Sequence, residues 1–473
     1  QMNLFKDMVC YQEEVRDASR MAEVLNRVIL KAKRGSAPAQ INVPRDFWTQ
    51  VVDIELPSII EFERPSGGAA AITEAAKLLS NAKFPVILSG AGVVLADAIE
   101  DCKKIAEKLD APVACGYQHN DSFPGKHPLA IGPLGYNGSK AAMEIISKAD
   151  VVLALGTRLN PFSTLPGYGI DYWPKEAKII QVDFNSDRIG LAKKISVGIC
   201  GDAKLVAQQI LSQLSSTAGD SGREDRKALI HQTKSAWLQT LTSLDHEEDD
   251  EGTTWNKDSR ERDPDRMSPR MAWRAIQAGL PDDAIISSDI GNNCAIGNAY
   301  PTFEQGRKYL APGLFGPCGY GFPSVLGAKI GCPNTPVVGF SGDGAFGISM
   351  SEMTSCSREE WPNITMVIFR NYQWGAEKRN TTLWYDNNFI GTELDPKLSY
   401  AKIAEACGFK GVKVTTQSEL TEVLKASCVD QMNGITTFIE VILNQELGEP
   451  FRRDAMKAPV EVAGINSQDT VVQ

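Results

Sequence analysis

One carboxylate and one amide, Asp343 and Asn371, stand 28 positions apart, each just behind an apolar run. Val337–Ser341 (VVGFS) predicts a buried strand ending in Gly342-Asp343-Gly344. Ala345–Cys356 reads as a helix, and Ile364–Phe369 (ITMVIF) as the next strand, ending at Arg370-Asn371. A β-α-β unit brings the carboxyl ends of its parallel strands to one edge, where open sheets bind ligands. A hard cation such as Mg²⁺ takes oxygen ligands, a few from protein and the rest from phosphate and water. Asp343 and Asn371 meet that demand. The glycines beside Asp343 let backbone N–H groups approach a phosphate, and a helix start at Ala345 favours negative charge. The unit reads as a metal–diphosphate site formed by Gly342, Asp343, Gly344, Ala345 and Asn371. An ordinary strand-turn-helix is the alternative, because G-D-G by itself is common.

The elements that position such a site follow from the pattern. From about Ser66 strands and helices alternate. Pro85–Ser89 (PVILS) runs into Gly90-Ala91-Gly92 and a helix through Lys108; Ala111–Ala114 is a short strand and Ala141–Lys148 a helix; Val151–Leu155 and Ala177–Asp183 are further strands. Short apolar runs separated by helices predict an α/β fold with doubly wound parallel sheets. The Gly90-Ala91-Gly92 turn lacks the third glycine of a dinucleotide fingerprint, since position 95 is Leu. A plain Rossmann-like domain is the simpler reading. Ser215–Gly222 has a flexible composition, and Asp245–Glu251 carries six acids in seven positions. The intervening Ala236-Trp237-Leu238 predicts helix, so 214–266 reads as a linker with some structure and its acids as a solvated face. Ser268 with Pro269 begins the next unit as a helix cap. At the amino end, Val15–Ala32 has helical period (Val15, Met21, Val24, Leu25, Val28, Ile29) and Ala39–Val43 is a strand. One helix and one strand cannot close a sheet.

Composition narrows the function. The 473 residues are 42% apolar and 23% charged, which fits two to three globular domains of about 150 residues each. A formal net charge of −10 argues against nucleic-acid binding, and no apolar run has the length of a membrane helix. Ten cysteines are scattered from Cys10 to Cys428 without C-x-x-C, and the four histidines form no H-x-x-x-H. Free thiols in a reducing, cytoplasmic compartment are expected, and zinc is not.

Gly342-Asp343-Gly344 with Asn371 resembles the signature of the thiamine diphosphate-dependent enzymes, in which G-D-G precedes a pair of asparagines. Here 25 residues separate Gly344 from Arg370, which replaces the first asparagine. The resemblance implies Asp343, Asn371 and the backbone oxygen of Gln373 as ligands of Mg²⁺, with Gly375 completing the loop. Gly316-Pro317-Cys318-Gly319-Tyr320-Gly321 is similar to the loop that holds the aminopyrimidine, Cys318 standing where many relatives have a bulky Met or Leu wedge. Asp289-Ile290-Gly291-Asn292-Asn293 is similar to the segment that meets the diphosphate from the other side. Longer stretches, Gly132–Tyr136, Gly138–Ala142, Ala154–Leu159, Asp171–Pro174 and Asn371–Lys378, resemble the sulfoacetaldehyde acetyltransferases among these enzymes.

That resemblance implies a pyrimidine-binding domain of which residues 1–56 are the C-terminal remnant, a central Rossmann-like domain over 66–213, a linker over 214–266, a diphosphate-binding domain over 267–456 and a tail over 457–473. The glutamate that activates the cofactor then falls outside these residues, and none of them takes the catalytic role. The implied reaction is sulfoacetaldehyde plus phosphate giving acetyl phosphate plus sulfite, a step in the degradation of organosulfonates such as taurine, by a homodimer or homotetramer. Sulfonate and phosphate are both anionic tetrahedral groups, for which Arg370, Lys378 and Arg379 are the nearby cations in sequence. His119 is a proton shuttle or, more simply, a surface group. A pyruvate-using synthase with the same cofactor and a non-catalytic nucleotide-binding or scaffold protein are the competing readings.

Overall fold

Each apolar run named above becomes a strand in the computed structural model, which describes residues 1–58, 61–168, 170–245, 254–313, 315–385 and 387–447. The chain forms two units, Gln1–Glu63 and Arg64–Gln473.

In the first unit β1 (Tyr11–Glu14) and β2 (Ala39–Asn42) pair in parallel, Tyr11 opposite Ala39, around the helix Met21–Gly35. The predicted helix over Val15–Ala32 therefore starts too early. Asp17 accepts the Ser19 N–H and opens a short 3-10 turn, and Val15 is a buried residue ahead of it. Val15, Val24 and Val28 form the core, whereas Leu25 and Ile29 are exposed. The strand that sequence reading missed, YQEE, carries no apolar run. Its polar side chains face partners instead: Arg27 bridges Glu13 at 2.8 Å.

The second unit holds two six-stranded, all-parallel sheets. The central one contains β3 (Pro85–Ser89), β4 (Val113–Cys115), β5 (Ala130–Pro133), β6 (Val151–Leu155), β7 (Lys178–Asp183) and β8 (Val197–Cys200), in the order β5-β4-β3-β6-β7-β8. The helix expected after the Gly90-Ala91-Gly92 turn through Lys108 is two helices, Ala91–Leu95 and Ile99–Leu109, broken at Asp97 with φ +56°. Gly90 and Gly92 serve packing: a Cβ at either would lie 2.6 Å from Gly156 backbone. The crevice between β3 and β6 is closed by backbone contact.

The other sheet contains β9 (Ile285–Ser288), β10 (Tyr309–Leu310), β11 (Val337–Gly342), β12 (Thr365–Arg370), β13 (Lys410–Val414) and β14 (Thr437–Ile442), in the order β10-β9-β11-β12-β14-β13. Its strand order, not its strand direction, reverses between β9 and β11, the kind of switch point at which doubly wound sheets bind ligands. The helix predicted over Ala345–Cys356 begins at Asp343 and breaks into Asp343–Ser349 and Glu352–Cys356. Ser268 caps the helix Pro269–Gly279 by accepting the Met271 N–H.

In the sequence, the helices Arg223–Asp245 and Thr254–Arg262 lie between the strands of the two sheets. The Ser215–Gly222 stretch ahead of them is held by Arg226, whose guanidinium donates to the carbonyls of Lys83, Leu109, Asp110, Gly219 and Ser221. Residues 246–251 of the acidic run, and the expected tail over 457–473, lie outside the described residues. Among the described residues no helix is long and apolar enough to cross a membrane.

Candidate active site

The loops behind β9, β11 and β12 line a cavity of ≈ 350 Å³, and loops of the central sheet complete it. Asp289, directly after β9, is fully buried. Its carboxylate accepts the N–H groups of Ile290 (2.8 Å), Gly319 (3.1 Å) and Gly321 (2.9 Å) and the Ser341 hydroxyl (3.1 Å). One acid thus ties the 316–321 loop to the ends of two strands. Gly316 and Gly319 take φ +68° and +88°, so the loop turns where a Cβ would strain it. Cys318 lines the cavity from this loop, and partial burial pushes its thiol up to about 11, keeping it neutral.

Asp343 sits in the first turn of its helix, buried, with Oδ2 accepting the Arg370 guanidinium at 3.0 Å and the Tyr372 N–H at 2.7 Å. Burial pushes its carboxyl up to about 6 against the pull of Arg370 and those N–H groups. Arg370 is itself fully buried, 3.7 Å from Glu440, and lies over the rings of Tyr372 and Tyr400. Tyr372 holds φ +61°, a costly conformation for an aromatic residue, and the Asp343 and Arg370 contacts hold it there.

Next to this paired cluster stand polar groups with no partner among the described residues. Asn371 is buried with neither side-chain amide atom hydrogen-bonded. Gln373 donates to Gln445 O at 3.0 Å but leaves its own Oε1 unpaired, and Asn293 Oδ1 is likewise unpaired. Each such group costs about 1–3 kcal/mol unless something satisfies it. An oxygen-seeking cation with its anionic co-ligand fits this donor set of one carboxylate and amide oxygens. At Gly342 a Cβ would meet nothing within 4 Å, so packing does not require that glycine. The open position leaves its backbone accessible to close approach by a ligand. At Gly344, by contrast, a Cβ would lie 2.8 Å from the Trp374 ring.

All twelve sequence-predicted cofactor residues, Gly291, Asn292, Asn293, Gly316, Cys318, Gly342, Asp343, Gly344, Ala345, Asn371, Gln373 and Gly375, line this one cavity. Arg370 and Lys378 do not. Arg370 is committed to Asp343 and Glu440, and Lys378 is buried against Glu393 and the Phe389 ring. The cation that does line the cavity is Arg379. It donates to Asn292 Oδ1 at 3.2 Å and lies 5.1 Å from the Tyr136 ring centroid, and burial lowers its guanidinium to about 10. His119 is half-buried rather than a surface group, and burial together with Arg158 lowers its imidazole to about 4. Sequence reading missed Tyr117, Gln118, Tyr136 and Phe162, which join the cavity from the central sheet. They share no spacing with Asp343, and only the packing of the two sheets brings them there.

Comparison with known proteins agrees with this geometry. Residues 72–210 match the family model "Thiamine pyrophosphate enzyme, central domain", and residues 289–441 match "Thiamine pyrophosphate enzyme, C-terminal TPP binding domain". A probable sulfoacetaldehyde acetyltransferase of Rhizobium meliloti is 76% identical over 473 residues, 100% of this chain and 80% of the relative. A sulfoacetaldehyde acetyltransferase of Roseovarius nubinhibens is 74% identical over 99% of this chain and 78% of its own length. A probable acetolactate synthase large subunit of Methanococcus aeolicus is 28% identical over 90% of this chain and 70% of its own. The chain belongs to the thiamine pyrophosphate enzymes and, within them, to the sulfoacetaldehyde acetyltransferase family.

Proposed function

We propose that the protein converts sulfoacetaldehyde and phosphate into acetyl phosphate and sulfite, with thiamine diphosphate and Mg²⁺, as a homodimer or homotetramer in the cytoplasm. The cofactor part of this reading is carried by the buried Asn371 amide, unpartnered among the described residues, next to Asp343 at the cavity wall, and the substrate part by the likeness to sulfoacetaldehyde acetyltransferases. When bound, thiamine diphosphate supplies the carbon nucleophile and electron sink that protein side chains lack. The chain's own residues hold and orient. Asp343, Asn371 and Gln373 take the cation, and Gly291, Asn292, Asn293 and Gly342–Ala345 face the diphosphate. Arg370 and Glu440 fix the Asp343 carboxylate without touching the substrate. Asp289 keeps the Gly316–Gly321 loop in place, so that Cys318 presents a small neutral thiol to the ring system.

The overall reaction needs no oxidant. The C–S bond breaks and sulfite leaves with its electron pair; the aldehyde carbon rises to the acyl level while its neighbour becomes a methyl group. A phosphate oxygen forms the new C–O bond. Product identity tests the reading: given sulfoacetaldehyde, the full-length protein is expected to yield sulfite and acetyl phosphate. Carbon dioxide and a longer hydroxy acid from pyruvate, with sulfoacetaldehyde untouched, would overturn it.

A further inference from the structure

Gln118 has no structural reason to be as it is. It follows β4 with φ +58°, is 2% exposed, and neither of its amide atoms has a hydrogen-bond partner among the described residues. Its neighbours are well held: the Gln118 N–H donates to Asn298 Oδ1 at 3.2 Å, and Asn120 donates to the carbonyls of Asn298 and Pro301 at 2.9 Å. The loop is therefore fixed while the Gln118 side chain is left unsatisfied on the cavity wall, a combination of strain and orphaned polar groups that marks a ligand. On the same cavity the Tyr136 hydroxyl is buried without a partner among the described residues, and Arg379 lies over the Tyr136 ring. Of the acids there, Glu377 is exposed and Asp343 is paired with Arg370.

Arg379 can only donate, Tyr136 can donate or accept, and Gln118 offers both a donor and an acceptor. A sulfonate carries acceptors alone and would leave the Gln118 carbonyl unsatisfied. Hydrogenphosphate carries acceptors and one O–H. We propose that Gln118, Tyr136 and Arg379 form the binding subsite for hydrogenphosphate, the acyl acceptor. This assignment rests on the activity proposed above.

The test compares Gln118→Glu and Tyr136→Phe with the wild-type protein, loaded with thiamine diphosphate and Mg²⁺. The phosphate KM is expected to rise at least ~30-fold in Gln118→Glu and about 5-fold in Tyr136→Phe, with the sulfoacetaldehyde KM within about 2-fold. A rise in the sulfoacetaldehyde KM instead, or no change in either, would overturn the assignment. Calorimetric titration with inorganic phosphate separates the two claims. If the wild-type protein releases no sulfite yet binds phosphate, and Gln118→Glu does not, the subsite stands and the activity reading falls. Absent or equal phosphate binding in both proteins overturns the subsite. Should Gln118→Glu fail to load cofactor, Tyr136→Phe decides by the same readouts, since it keeps the ring packed on Tyr117 and Phe162.

Discussion

Asn371 and Arg370 are adjacent in the chain and have opposite relations to the fold. The Asn371 amide makes no hydrogen bond among the described residues, so Asn371→Ala should leave the unliganded protein nearly as stable as wild type. Its Mg²⁺-dependent affinity for thiamine diphosphate should fall by about 10–100-fold. Calorimetry with and without Mg²⁺ checks this, and equal affinity in the two proteins would remove Asn371 from the cation site. Arg370 neutralises two buried carboxylates, Asp343 at 3.0 Å and Glu440 at 3.7 Å. Arg370→Ala leaves both acids without their cation and should cost about 3–5 kcal/mol in denaturant unfolding. A cost below about 1 kcal/mol would mean that the pair contributes little and that water satisfies both acids.

The elements carry these residues to one edge, and most of that was legible. Buried strands such as VVGFS and ITMVIF announce themselves because a sheet covered on both faces needs unbroken apolar runs. The Asp343 and Asn371 positions follow directly from where those runs end. The YQEE strand of the first unit was not legible, since its pairing depends on partners for polar side chains. Nor was the role of Arg370, whose ion pairs reach across to Glu440 on β14. The central-sheet loop that delivers Gln118 also carries His119, whose imidazole burial lowers to about 4. A folded-state value below the unfolded one near 6.5 means that the unfolded chain binds the proton first. Stability from this group is present above pH 6.5 and is lost as pH falls from there towards 4, by about 1.4 kcal/mol per unit. Relative to His119→Asn, wild-type stability should therefore decline across that window, and parallel pH curves would show that His119 titrates normally.

Two sheets of one unit share the cavity, so cofactor loading should be felt by the fold as well as by the site. With Mg²⁺ present, thiamine diphosphate at a hundredfold excess over its Kd should stabilise the protein by about 2.7 kcal/mol, and chelation should abolish the gain. A gain that survives chelation would place the diphosphate on protein groups alone. Light scattering should give two or four chain masses, and a monomer would contradict the proposed assembly. Sulfite release from sulfoacetaldehyde by the full-length protein, measured with and without phosphate, tests the proposed reaction most directly. Sustained release matched one-to-one by acetyl phosphate is expected, and only when phosphate is present. Sulfite formed at the same rate without phosphate, with no acetyl phosphate when it is added, would contradict it.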